Sequence, residues 1–345
     1  MTKSILVDGR EFVLGRRTGI GRFLEGLLLA ITAKHTDWSC TVVLNEIDAL
    51  PESLQGKVEV LQSPKYLEWF FPKLAEGSDL FLSPYPKLPV RNMPCPCVHT
   101  IHDVFYLTHP AYQGNRLRRT AALWRLKHAV SKADLTWFDS LTSKHETQGL
   151  TGEINHTSHI RFPSIEASFK PDRRIKKKDF FLFVGNGLPH KNVQTLLGAI
   201  NQTDLVLKCV GIQPEIAEKL AHVFAVNAAQ VEFLQGVDDK ALLKLYRQTK
   251  ALLQPSTAEG FGYPPLEAMA CATPAIVSDI PVLRETTNNL STYVAPHDAK
   301  AWQQAMLSFD ADAESISQGL VWAEQHQGEA GWAAHILDIE QLVQN

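Results

Sequence analysis

Short apolar runs bounded by turn residues alternate with longer helical patterns from one end of the chain to the other, and no other feature limits the fold as tightly. A strand that runs parallel to its predecessor needs a crossover long enough to be a helix, so this alternation implies parallel α/β sheets. In the first half SILVDG, CTVVLN, VEVLQS, DLFLSP, CVHTIHD and ADLTWFDS are the expected strands. FKPDRRIKKKD (169–179) then carries six basic residues and almost nothing apolar, which reads as a solvated linker. After it the alternation restarts with FFLFVG, LVLKCVG, VEFLQG, ALLQPS and PAIVSD, and with KNVQTLLGAI, DKALLKLYRQ and PLEAMACA as helices. A single core has usually split at 345 residues. The expectation is therefore α/β, with two Rossmann-like doubly wound domains over 1–168 and 180–325. In the final segment Trp332, Ile336, Ile339 and Val343 recur at helical spacing, so a helix within 326–345 is expected to bury one face and pack back toward the first domain.

Composition excludes several function classes. With 21% charged residues and a net charge of -3 there is no global basic field, so no nucleic-acid partner is expected. The five cysteines are odd in number and scattered, and Cys95 and Cys97 do not follow C-x-x-C spacing. They read as buried thiols in a reducing compartment. No apolar run approaches the roughly 18 residues of a membrane span, and a cytoplasmic protein without a signal peptide is expected.

Two loops in the second half carry chemistry. In EGFGYPPLEAMA (259–270), Glu259 falls between a buried strand and a helix, and Glu267 falls in the first turn of that helix. Loops at the carboxyl edge of an open parallel sheet are where ligands bind. Gly260 and Gly262 allow backbone amides to approach a ligand, and the two glutamates can accept hydrogen bonds from separate parts of a polyhydroxy molecule. A helix-dipole glutamate would account for Glu267 alone but not for Glu259 beside Gly-Phe-Gly. In FFLFVGNGLPHKN (180–192), Gly185 and Asn186 leave a strand, and Lys191 falls at a helix start with Asn192 as N-cap. Amides, dipole and ammonium converging there suit phosphate, although a lysine at a helix start is often merely solvated. In the first half, RRTGIGRF (16–23) is glycine-rich, with Gly19 and Gly21, and HTIHD (99–103) places His102 and Asp103 at a strand's carboxyl end.

Read together, these motifs resemble the retaining glycosyltransferases of family 4, with the mannosyltransferase-like branch that extends bacterial surface polysaccharides as the nearest similarity. TGIGRF, IHDV, FDSLTSK, VGNGLPHKN and the long stretch QGVDDKALLKLYRQTKALLQPSTAEGFGYPPLEAMACATPAIVSDIPVLRE carry the resemblance, which runs nearly the whole length. It implies a GT-B arrangement, two such domains facing a cleft, and a hexose moved with retention from a nucleoside-diphosphate sugar to a saccharide or lipid-linked acceptor. By the same resemblance Glu267 would bind the donor ribose, while Glu259 and the amides of Gly260, Phe261 and Gly262 would hold the sugar. Lys191 would neutralise the diphosphate with help from Gly19 and Gly21, and His102 would sit beside the sugar ring. No cofactor or metal is implied. His190 stands where the family usually has arginine, and Ala272 where it often has glycine.

Some features remain open. NRLRRTAALWRLKHAVSK (115–132) can be an ordinary surface helix, or can rest on anionic lipid or meet an acceptor's pyrophosphate. KYLEWFFPKL (65–74) clusters aromatics that can be core or can face a lipid-linked acceptor. Peripheral contact with the inner membrane surface is the corresponding expectation. Asp310-Ala311-Asp312 mimics a D-x-D metal motif but reads as helix capping, and His156-x-x-His159 lacks a third ligand. A nucleotide-sugar epimerase or phosphorylase on the same fold, a nicotinamide-dependent oxidoreductase and a non-catalytic sugar-binding protein are the competing readings.

Overall fold

The computed structural model describes residues 2–15, 18–63, 67–112 and 114–344, with the side chains of 67–69 excepted. It divides into two compact units, 1–164 with 328–345, and 165–327.

The first unit holds a seven-stranded parallel sheet in the order β3-β2-β1-β4-β5-β6-β7. Its strands are β1 (Ser4–Asp8), β2 (Ser39–Leu44), β3 (Glu59–Gln62), β4 (Leu80–Ser83), β5 (Cys97–Ile101), β6 (Leu135–Phe138) and β7 (Thr157–Ile160). Central strands covered on both faces read as unbroken apolar runs, as LFLS and LTWF do here. One face packs on the helices Gly19–Lys34 and Gly328–Gln344, where Phe23, Leu24 and Leu27 meet Trp332, Ile336, Ile339 and Val343. Gly26 lets the two helices approach, since a Cβ there would lie 2.8 Å from Trp332 Cζ2. The final helix thus belongs to the first unit's core.

The second unit has a six-stranded parallel sheet in the order β10-β9-β8-β11-β12-β13. These are β8 (Phe181–Val184), β9 (Leu207–Val210), β10 (Val231–Leu234), β11 (Leu252–Gln254), β12 (Ala275–Ser278) and β13 (Thr292–Val294). Chain order runs outward from β8 through β9 to β10, then restarts on the other side with β11. A crevice at the carboxyl ends of β8 and β11 follows from that reversal.

Two findings differ from the sequence expectation. β7 and β13 are additional strands, each at one sheet edge. The basic stretch 169–179 is part of the second unit rather than a free linker. Phe169 is buried with its ring edge-on to Tyr246, and Lys177 Nζ donates to Thr273 Oγ1 at 2.5 Å. Apart from that of Lys177, its basic heads reach solvent while its backbone is tied down, for example by Lys178 N–H to Gln248 O at 2.7 Å. Of KYLEWFFPKL, Lys65 and Tyr66 lie outside the described residues; Phe71 packs on Phe81 in the core and Phe70 is 45% exposed. All five cysteines are buried free thiols, and burial pushes those of Cys40, Cys97 and Cys271 to about 12.

Candidate functional site

In the second unit the segment after β8 grips the loop after β11 through three consecutive residues. The His190 carbonyl accepts from Thr257 N–H at 2.8 Å, Lys191 Nζ donates to both oxygens of Glu259 at 2.7 and 2.9 Å, and Asn192 Nδ2 donates to the Pro255 carbonyl at 2.9 Å. Lys191 and Glu259, 68 positions apart in sequence, are thereby one ion pair. Glu259 is 7% exposed, and its Oε1 also accepts from Gln254 Nε2 and Ser256 Oγ, each at 2.6 Å. Burial pushes this carboxyl upward. The Lys191 charge, hydrogen bonds from Lys191 and Ser256, and nearby His190 outweigh it and hold the group below the usual carboxylate range. Its environment is a cage of donors, so Glu259 stays ionised.

The local frame of Lys191 departs from the expected helix start. Pro189–Lys191 form a 3-10 turn, Asn192 takes φ 52°, and only then does the helix Val193–Ile200 begin. Asn192 occupies the cap position without capping, because its Nδ2 donates to the Pro255 and Pro296 carbonyls and its Oδ1 accepts from Thr195 Oγ1. The residue works as a staple between three loops. Ahead of it, Gly185 N–H is engaged with the Val210 carbonyl at 2.9 Å, and a Cβ at Gly185 would meet the Phe183 ring at 2.9 Å. Asn186 Oδ1 accepts from Leu188 N–H at 3.2 Å, which closes the turn.

On the facing loop Gly262 has φ 95°, and its Cβ position lies 2.8 Å from Leu283 Cδ2, so both conformation and space require glycine there. Gly260 precedes it, and buried Phe261 sets its ring edge-on to Tyr263. The helix Tyr263–Ala270 starts Tyr-Pro-Pro, so two of its first three residues have no N–H and the donors near its start belong to the glycine loop. Glu267 is the fifth residue of that helix rather than a first-turn one, which removes the helix-dipole account. It is 1% exposed, and its Oε2 accepts from Tyr246 O–H at 2.6 Å.

Lys191, Glu259 and Gly262 are therefore brought together, while Glu267 is anchored one turn further in. Gln254, Ser256 and Tyr246 were not anticipated. Two polar side chains ending an otherwise apolar strand just before Glu259 were the available signal for the first two.

Residues 164–318 match the family described as glycosyl transferases group 1. The O-antigen chain mannosyltransferase RfbU of Salmonella typhimurium is 30% identical over 225 residues, covering 64% of this chain and 62% of that protein. The serotype-specific mannosyltransferase WbdA of Escherichia coli is 32% identical over 255 residues, covering 64% of this chain and 31% of that protein. The chain thus spans between about a third and two thirds of the length of these relatives. Among solved structures, Anabaena HepE in complex with UDP superposes with a TM-score of 0.75 at 16% identity, over 99% of this chain and 100% of that one. At such identity the likeness speaks for the fold, which is GT-B with two parallel-sheet α/β domains. The group 1 match starts at the seam between the two units and ends within the second, so it contains both loops of the glutamate–lysine site.

In the first unit, Gly19 and Gly21 open the helix Gly19–Lys34, and the Gly21 amide is already taken by the Thr18 side chain at 2.9 Å. Arg16 and Arg17 lie outside the described residues. His102 follows β5 and uses both ring nitrogens: Nδ1 meets Asp139 Oδ2 at 2.6 Å and Nε2 meets the Pro84 carbonyl at 2.8 Å. Both partners only accept, so the doubly protonated ring satisfies them. Burial opposes that charge, but the Asp139 carboxylate, with Asp103 and the carbonyl, raises the ring above the ordinary histidine value. The geometry and charges around His102 therefore favour its protonated form. Asp103 Oδ1 accepts from Phe105 N–H at 3.0 Å. His156 and His159 go to different partners, Thr136 Oγ1 and Asp338 Oδ2, and Asp312 caps the helix Ala313–Gln325.

Proposed function

We propose that this chain is a retaining glycosyltransferase that moves a hexose from a nucleoside-diphosphate sugar to a saccharide or lipid-linked acceptor in bacterial surface polysaccharide synthesis. The observation that carries it is the seating of the Lys191–Glu259 pair where the loops after β8 and β11 meet, the switch point of the second sheet. The group 1 match over that unit, and relatives named as mannosyltransferases, support a mannose-like sugar.

Leaving-group departure puts negative charge on the diphosphate while positive charge grows at the anomeric carbon. Glu259 orients the Lys191 ammonium with two of its contacts, and a further N–H can meet a phosphate oxygen, so the lysine arrives at the reaction already desolvated and aimed. Glu259 and the glycine-loop amides of Gly260, Phe261 and Gly262 hold the sugar, and Glu267 the ribose. Departure and attack occur on the same face of the sugar, and Lys191 with the amides supplies the charge neutralisation, with no metal in the reading. Peripheral contact of the helix Arg116–Lys132 with an anionic membrane belongs to the same proposal.

Thermal denaturation against GDP, UDP, ADP, dTDP and NAD, each with and without magnesium, tests it. Stabilisation by one nucleoside diphosphate without metal is expected. Lys191→Ala should lower turnover about a hundredfold or more, since one preorganised charge-stabilising group is worth roughly 3–4 kcal/mol of barrier. Stabilisation by NAD alone, or a near-normal rate in the variant, defeats the reading.

A further inference from the structure

The first unit contains a pocket of about 520 Å³ at the carboxyl ends of β4 and β5, walled by the helix Arg116–Lys132. Its charge is lopsided. Lys87, Arg118 and Arg125 line it, and among the described residues none of the three pairs with a carboxylate. His102, hydrogen-bonded to Asp139, lines it too, and Asp103 is the single acid of the lining. Arg118 and Arg125 are seven residues apart, two turns along one helix face, with Ala121 and Ala122 between them. Small side chains at those positions leave the floor between two guanidinium groups open. Lys87 Nζ stands 4.7 Å from the centre of the Tyr85 ring, which restrains the ammonium at the pocket wall. The rest of the lining includes Ile20, Tyr106 and the two alanines, which are apolar or amphipathic.

Three exposed cations around one cavity, none paired with a carboxylate among the described residues, make it a positively charged recess that attracts an anion, and guanidinium forks match phosphate oxygens best. The apolar wall adds a place for carbon next to that anion. We propose that this pocket binds a phosphate or diphosphate ester through Lys87, Arg118 and Arg125, and that the ester is part of the sugar acceptor. Only the word acceptor rests on the glycosyltransferase reading; the phosphate ester does not. A phosphorylated sugar and a lipid phosphate share this chemistry.

Isothermal titration of the full chain with mannose 1-phosphate, with decyl diphosphate and with decyl maltoside, without donor, tests the proposal. Binding of either phosphate ester is expected, and whichever binds more tightly identifies the source. In Arg118→Gln/Arg125→Gln that binding should weaken roughly tenfold or more, because two charge-assisted contacts are lost. Both arginines lie on an exposed helix face, so the variant folds, and Lys87→Gln provides an independent second variant with a smaller expected loss. Decyl maltoside binding as tightly as decyl diphosphate, or phosphate-ester affinity unchanged in both variants, would overturn it. The nucleoside-diphosphate melting shift, read on the same variants, keeps the two readings separate. If the donor reading fails, that shift is missing in wild type; if this proposal fails, the shift remains and the ester titration does not respond to the variants.

Discussion

At the residue scale, the buried histidines carry opposite electrostatic signs. The surroundings of His102 raise its titration above the ordinary histidine value, so its contribution to stability is present below that ordinary value and is lost as pH rises through the raised one. His335 is the reverse. It is 1% exposed, neither ring nitrogen has a hydrogen-bond partner among the described residues, and burial first, then Arg161 and His102, lower it from 6.5 to about 3. A folded value below the unfolded one means that the folded state binds fewer protons. Its stabilisation is therefore complete above the unfolded value and drains away as pH falls from there toward about 3. Between about pH 7 and about pH 5 this one group should withdraw on the order of 2 kcal/mol. His335→Phe keeps an aromatic ring against Phe23, Trp137 and Trp332 and should lose correspondingly less stability over that interval. Denaturant unfolding at the two pH values decides it, and an unchanged pH slope in the variant would refute the assignment. None of this was legible in sequence, where His102 was singled out for chemistry and His335 was one position in an apolar helix. Protonation depends on what surrounds a ring, and those neighbours come from β6, from the loop after β4 and from the final helix.

At the element scale, the end of the helix Tyr263–Ala270 shows what a left-handed residue other than glycine costs. Thr273 N–H reaches the Ala268 carbonyl and Ala272 N–H the Met269 carbonyl, both at 2.9 Å, which is the Schellman arrangement that wants glycine at Ala272. Ala272 has φ 52°, a left-handed conformation that a Cβ makes unfavourable. Replacing it with glycine relieves that strain and adds some unfolded-state entropy, for a net gain of about 0.5–1 kcal/mol. A melting temperature that falls in Ala272→Gly would contradict the strain. The same scale explains which strands escaped sequence reading. β7 (Thr157–Ile160) and β13 (Thr292–Val294) each pair with one neighbour only, are short, and have no fully buried run. Both are half solvated and close to loops in composition, whereas the other two edge strands, β3 and β10, sit in the apolar runs VEVL and VEFL. The central strands were legible because burial on both faces leaves only apolar residues acceptable.

At the scale of the whole molecule, no helix among the described residues is long and apolar enough to cross a membrane. The helix Arg116–Lys132 still presents Leu117 at 82% and Trp124 at 54% exposure, two turns apart among arginines and lysines and with no acidic residue in the helix. That face suits an anionic bilayer surface. The protein should float with phosphatidylglycerol-rich vesicles at low salt and be released as salt screens the attraction; remaining wholly in the soluble fraction with such vesicles would remove the membrane contact.

The sequence by itself determined that there are two parallel α/β sheets, and it located both loops of the candidate site, because strand burial and turn chemistry are local properties written residue by residue. Only the tertiary structure decided that β8 lies beside β11, that Lys191 and Glu259 are partners, and that 328–344 completes the first unit's core. Which strands become neighbours is set by how crossovers close and which apolar faces meet. That is a property of the packed chain as a whole, which no short window of residues contains.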